Sequence, residues 1–229
     1  MTRTIHYFRD EKALAGRAVK VFRAGYAEAV AKKGFFTVAL SGGRSPLPFL
    51  RALAAQKGLD WKKVFFFFAD ERLTGLGAGA SNFGTVKDLL FSKVPVPRSN
   101  IFPVPVSKGL KAAATYEKTI RGFFKGGKVR FDMVFLGLGT EGHTASLFPG
   151  SPALTERKKL AVAATAPAYA KPRGRVTLTF KALNSAGTAV FLVSGKEKKA
   201  VFNALISGQK DLPASNIRPA RNLCLLYSE

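Results

Sequence analysis

The sequence predicts an α/β protein with a Rossmann-like, mostly parallel sheet and helices on both faces. Three observations carry that expectation. Short apolar runs alternate with stretches of helical pattern, which implies crossover connections between parallel strands. The runs are continuous rather than alternating, as strands buried on both faces must be. Polar, glycine-rich or charged residues follow four of the runs directly, and in such sheets ligands bind beyond the carboxyl ends of the strands.

Residues 11–33 follow Asp10, a suitable helix N-cap, and carry Leu14, Val21, Phe22 and Val30 amid charge, so they read as a surface helix. "FFTVAL" (35–40) is a buried strand ending in "SGG", and Ser45 with Pro46 then marks a helix start. "KVFFFFADER" (63–72) is a second strand whose consecutive phenylalanines are too apolar for a half-exposed position. Helices are expected near 84–92 and 108–125, separated by the proline-rich and therefore irregular "VPVPRSNIFPVPV". "FDMVFLGLG" (131–139), "RVTLTF" (175–180) and "TAVFLVSG" (188–195) are three further strands. "EKKAVFNALIS" (197–207) reads as a helix and "NLCLLY" (222–227) as a last strand. No repeat or composition break divides the chain, so residues 1–229 are expected to form one domain.

Composition narrows the function classes. A hydrophobic fraction of 47% fits a globular core, and no apolar run approaches the ~20 residues needed to span a bilayer. The first residues, "MTRTIHYFRDEKAL", place charge where a signal peptide needs an apolar stretch. With Cys224 the only cysteine, no intrachain disulfide can form, and a cytoplasmic protein is expected. The net charge of +23 favours capture of anions: nucleic acid, a membrane surface or a phosphorylated metabolite. The basic residues are scattered, with no basic zipper helix, RNP-type motif or zinc spacing, so nucleic-acid binding is not expected.

Each strand-end motif has a chemical reading beside a plain one. The turn in "LSGGRSP" (40–46) presents Gly42, Gly43 and Arg44 before a helix start, where backbone N–H groups can cradle a phosphate; it is otherwise a tight turn. "ADERLTGLGAGASN" (69–82) brings Asp70, Glu71 and Arg72 together, as a polar site lining or as a structural salt bridge. Glycines 75, 77 and 79 follow and suggest a loop able to close over a ligand, with Ser81-Asn82 capping the next helix. "GLGTEGHTASLFPG" (137–150) holds one of two histidines, and Gly137, Gly139 and Gly142 permit turns that bring Glu141 near His143. An acid that orients an imidazole makes it a general base near neutral pH. Its neighbour Ser146 lacks the G-x-S-x-G context of a hydrolase nucleophile. Arg175 and Lys196 are cations that can hold a phosphate, and His6 is assigned no function. Two histidines and one cysteine make no metal set, so neither metal nor cofactor is expected.

Taken together, these blocks resemble the 6-phosphogluconolactonase family, which belongs to a wider superfamily with glucosamine-6-phosphate deaminase and isomerase. "LSGGRSP", "FFFADER", "SN", "FDMVFLGLGTEGHTASLFPG", "RVTLTFKALN", "VSGKEKK" and "LPAS" occur in the family's order across nearly the whole chain. The resemblance implies hydrolysis of 6-phosphoglucono-1,5-lactone in the oxidative pentose phosphate pathway, with a phosphorylated sugar lactone as partner and a monomer or homodimer. It implies that His143 deprotonates the attacking water, with Glu141 as its partner. Gly42, Gly43, Arg44, Arg175 and Lys196 would then hold the phosphate, and Arg72 would stabilise the developing oxyanion. Asp70 and Glu71 would hold Arg72 and the loop, and Asp70 and Gly142 would also line the substrate site. The family usually carries aspartate where this chain has Glu141. The alternatives are the sister deaminase, whose "GHIAFNEP" block has a glutamate where this chain has Phe148, and a basic polyanion-binding protein on the same scaffold.

Overall fold

A computed structural model describes residues 1–74 and 81–229. Along the chain run β1 (Thr2–Phe8), α1 (Glu11–Lys33), β2 (Phe36–Leu40), α2 (Leu47–Ala54), β3 (Val64–Phe68), β4 (Asp70–Arg72) and α3 (Asn82–Val86). There follow α4 (Ala112–Phe123), β5 (Met133–Leu136), β6 (Ala161–Thr165), β7 (Gly174–Leu178), α5 (Phe180–Leu183), β8 (Thr188–Ser194), α6 (Lys199–Ser207) and β9 (Asn222–Ser228).

Six strands form a parallel sheet in the order β1-β9-β8-β5-β2-β3. Every residue of β2, β5 and β8 is buried, so both faces of the sheet centre are covered, as their unbroken apolar sequences require. The chain leaves β2 toward β3 on one side and reaches β5 on the other. That reversal opens a crevice between the carboxyl ends of β2 and β5.

α1 is built as its sequence indicates. The Asp10 carboxylate accepts from Ala13 N at 2.7 Å at one end, and Gly34 closes the other at φ 83°. Leu14, Val19 and Phe22 face inward, and the Phe22 ring meets Phe36 edge-on. The phenylalanine run of β3 is largely core: Phe67 stacks on Phe102 at 4.6 Å and meets Phe123 and Phe131 edge-on.

The structure differs from the sequence expectation at one junction that matters for the site. The run 63–72 is not one strand. Ala69 donates to Leu40 O in the parallel sheet and accepts from Leu178 N, and beyond it β4 pairs antiparallel with β7. β4, β7 and β6 form a separate three-stranded sheet, so "RVTLTF" lies outside the parallel sheet. β3 is an edge strand, and the Tyr116 hydroxyl both accepts from Phe68 N and donates to Phe68 O where no strand neighbour could. β1 and β6 were not expected from sequence. The helix near 84–92 is α3 continued by a wider π-type turn over Lys87–Phe91, and α4 begins after a kink at Gly109.

Candidate functional site

A cavity of about 360 Å³ opens at the carboxyl ends of the parallel strands, within the ~300–1,000 Å³ typical of small-molecule sites. Four strand ends contribute to its walls. Residues 41–46 follow β2, Asp70 and Arg72 lie on β4, residues 137–139 follow β5, and Ser194 ends β8.

The loop after β2 is held from behind. Ser194 donates from its backbone N to Ser45 Oγ at 3.2 Å, and Ser41 N donates to Phe135 O at 3.1 Å. Glycine at 42 is a requirement of close approach, since a Cβ there would lie 1.9 Å from Asn82 Oδ1. Asn82 is itself fixed, donating through Nδ2 to both the backbone and the carboxylate of Asp70. The other Asp70 oxygen accepts from Ser146 Oγ at 2.7 Å, which ties β4 to the histidine loop. Ser146 and Asn82 thus act here as clamps on a buried acid.

Glu71 points the other way. Its carboxylate accepts from the backbone N–H groups of Arg72, Asn82 and Phe83 and from the Ser81 hydroxyl. Burial pushes its pKa up, against the pull of those backbone donors. It therefore anchors both ends of the segment between β4 and α3, while Asp70 lines the cavity. Glycines 75, 77 and 79 lie outside the described residues.

The pairing of β4 with β7 sets Arg72 directly opposite Arg175. Like charges across a strand pair are destabilising unless an anion lies between or near them. Arg175 is only 5% exposed, its Nη2 donates to Ala170 O, and its Nη1 has no partner among the described residues. Burial first, then the charge of Arg72, pushes the Arg175 guanidinium below its ordinary value, with Asp70 and Glu71 opposing. Arg44 adds an exposed guanidinium near Glu197. Lys196, expected to hold a phosphate, is exposed and does not line the cavity; Lys198, two residues on, does. Helical rotation decides this: the turn over residues 196–198 aims only its last lysine inward. Among the described lining residues, Arg44, Arg72, Lys171, Arg175 and Lys198 face a single carboxylate, Asp70.

His143 sits in the loop after β5. Gly139 N donates to His143 O at 2.8 Å, and a Cβ at 139 would lie 1.9 Å from Nδ1, so the loop folds tightly over its own glycine. Gly142 adopts φ 85° and lies behind the cavity wall against Leu212. Ala145 is held at φ 49°, a conformation rare outside glycine. The imidazole packs on Phe148 with ring centroids 4.5 Å apart. Glu141 Oε1 lies 3.0 Å from Nδ1, off the line of the ring N–H, and Nδ1 has no other partner among the described residues. The His143 contact, helped by Tyr169, holds the Glu141 carboxyl down to about 2 against its partial burial. Glu141 therefore reaches the ring to 3.0 Å without an aligned hydrogen bond to Nδ1. Sequence reasoning missed Tyr169 and Lys171, both in the cavity wall, because neither belongs to a strand-end motif. His6 lies on β1, paired with Leu226, outside the cavity lining.

This fold and site define an α/β protein with a basic small-molecule cavity and an acid-supported histidine at the switch point of its sheet. The family model described as glucosamine-6-phosphate isomerases/6-phosphogluconolactonase matches residues 9–226, and the chain belongs to that family. Within it the similarity runs to 6-phosphogluconolactonases, which are hydrolases. The chain is 34% identical to the 6-phosphogluconolactonase of Synechocystis, over 96% of this chain and 93% of that one. It is 36% identical to that of Thermotoga maritima, over 93% and 92%. The crystal structure of the 6-phosphogluconolactonase from Thermotoga maritima superposes with a TM-score of 0.89 at 30% identity, covering 100% of both chains. That from Trypanosoma brucei gives 0.89 at 25% identity, covering 99% of this chain and 96% of the other.

Proposed function

We propose that this chain is a 6-phosphogluconolactonase that hydrolyses 6-phosphoglucono-1,5-lactone to 6-phosphogluconate, a step of the oxidative pentose phosphate pathway. The observation that carries the reading is the Glu141–His143 pair set beside a cavity lined by five cations. With its carboxyl held down to about 2, Glu141 is ionised at neutral pH and keeps a proton on Nδ1, which leaves Nε2 as the base. Nε2 takes a proton from water as the water's oxygen bonds to the lactone carbonyl carbon. The carbonyl becomes an oxyanion, which Arg72 stabilises. The intermediate then collapses: the carbonyl re-forms, the ring C–O bond breaks, and the departing alkoxide takes the proton from His143 and becomes a hydroxyl. The carboxylic acid left behind releases its proton to water as a carboxylate. The loop at Gly42, Gly43 and Arg44, with Arg175 and Lys198, holds the phosphate. The chain works as one domain, and a lone cysteine suits a cytoplasmic enzyme.

Phe148 favours hydrolysis over deamination. Isomerisation and deamination need a further acid to move a proton between adjacent carbons. At the position where the deaminase block has glutamate, a buried phenyl ring packs on the imidazole instead. The test is a parallel assay: the lactone is turned over well above its spontaneous hydrolysis, and glucosamine 6-phosphate releases no ammonia. Ammonia release without lactone turnover would reverse the assignment.

A further inference from the structure

The connection between β6 and β7 leans over the cavity and puts Tyr169, Ala170 and Lys171 in its wall. Tyr169 is 72% exposed, so burial does not account for where its ring sits. Its hydroxyl does: it donates to Glu141 Oε1, the same oxygen that lies 3.0 Å from His143 Nδ1. Arg175 donates to Ala170 O at 3.2 Å and ties the same segment to β7.

We infer that Tyr169 is a positioning residue, whose hydroxyl holds the Glu141 carboxylate against Nδ1 of His143 and so fixes the ring tautomer. Glutamate has one more torsion to freeze than aspartate, and a half-buried carboxylate on a longer stem has other partners within reach. The Thr140 hydroxyl lies 3.5 Å from Oε2, and Lys198 exerts an attractive charge on Glu141 from the cavity side. The Tyr169 hydroxyl, donating to Oε1, keeps that oxygen 3.0 Å from Nδ1 rather than with those partners. The bond marks both partners. It contributes to the lowered Glu141 pKa, and it is the main cause that pushes the Tyr169 phenol up to about 12.

The role in turnover rests on the lactonase reading, so the test has two arms. In the first, Tyr169→Phe lowers kcat by about tenfold, the order expected for one hydrogen bond to a charged group, and leaves KM within about twofold. In a Glu141→Ala background the same change costs nothing further, because the interaction it removes is already gone. The second arm needs no substrate. With only two histidines in the chain, imidazole ¹⁵N spectra of the full-length protein separate His143 from His6. The neutral His143 ring is expected as the Nδ1–H tautomer, moving toward Nε2–H in Tyr169→Phe and in Glu141→Gln alike, with His6 unmoved. An inactive wild type with this spectral pattern would sink the lactonase reading and keep the positioning role. An unchanged tautomer in Tyr169→Phe, or an equal loss of kcat in the Glu141→Ala background, would overturn the role itself.

Discussion

The six-stranded and three-stranded sheets meet at Ala69 and have opposite chemistry. On one side lie β2, β3, β5 and β8, where Phe66, Phe67, Phe135 and Phe191 are almost wholly excluded from solvent. On the other, a three-residue strand carries Asp70, Glu71 and Arg72 and faces a second arginine. The parallel sheet buries apolar area and fixes a frame, a contribution of ~25 cal/mol per Å² that carries no chemistry. The small sheet buries charge, which costs stability unless something answers it. Asp70 and Glu71 are answered within the protein by Ser146, Asn82 and the α3 N-terminus. The Arg72–Arg175 pair instead gathers positive charge at the cavity wall.

This contrast can be broken in both directions. Phe67→Ala removes a fully buried ring from the frame and is expected to cost about 3–5 kcal/mol of stability, measured by denaturant unfolding, with kcat of the folded protein little changed. A collapse of kcat with intact stability would show that the frame takes part in the chemistry. Arg72→Ala is the converse. Turnover is expected to fall by about 10²–10³, the worth of a preorganised oxyanion donor, while the melting temperature moves by only about a few degrees. A large drop in melting temperature with turnover intact would make Arg72 part of the frame.

The smallest effect is a pH dependence of stability. The folded pKa of Glu141 lies below its ordinary 4.5, at about 2, with the His143 contact the main cause. The stability this contributes is present above pH 4.5 and is lost as pH falls toward 2. The gap in unfolding midpoint between wild type and Glu141→Gln should therefore narrow across that acid window. A gap that stayed constant from neutral pH down to 2 would mean that the Glu141 charge is not held by the ring.

How much of this was legible in the sequence follows from the same physics. The buried parallel strands announce themselves as unbroken apolar runs, and their ends mark the site, so Gly42, Gly43, Arg44, Asp70, Arg72 and His143 could be placed around one sheet edge; Arg175 begins its run, and only the fold brings it to the cavity from β7. β1, "TRTIHYF", does not stand out in the sequence because it is a half-exposed edge strand whose charges hide its β-forming threonine, isoleucine and aromatics. β6, "AVAAT", is too alanine-rich to stand out. The change of sheet at Ala69 leaves no local trace, since one apolar residue continues the run while its two backbone bonds go to different strands. Lys196 and Lys198 differ only by rotation within a helical turn, and "KEK" does not say which faces inward. Tyr169 sits in a connection with no periodicity, where only the folded chain shows what its hydroxyl meets.

The central claim is that the histidine loop does the chemistry inside a frame that does none. The most direct measurement is kcat/KM for 6-phosphoglucono-1,5-lactone with wild type and His143→Ala side by side, corrected for spontaneous hydrolysis. Loss of a positioned general base predicts a fall of about 10²–10⁴, with the unfolding midpoint preserved. Turnover in His143→Ala equal to wild type would contradict the account.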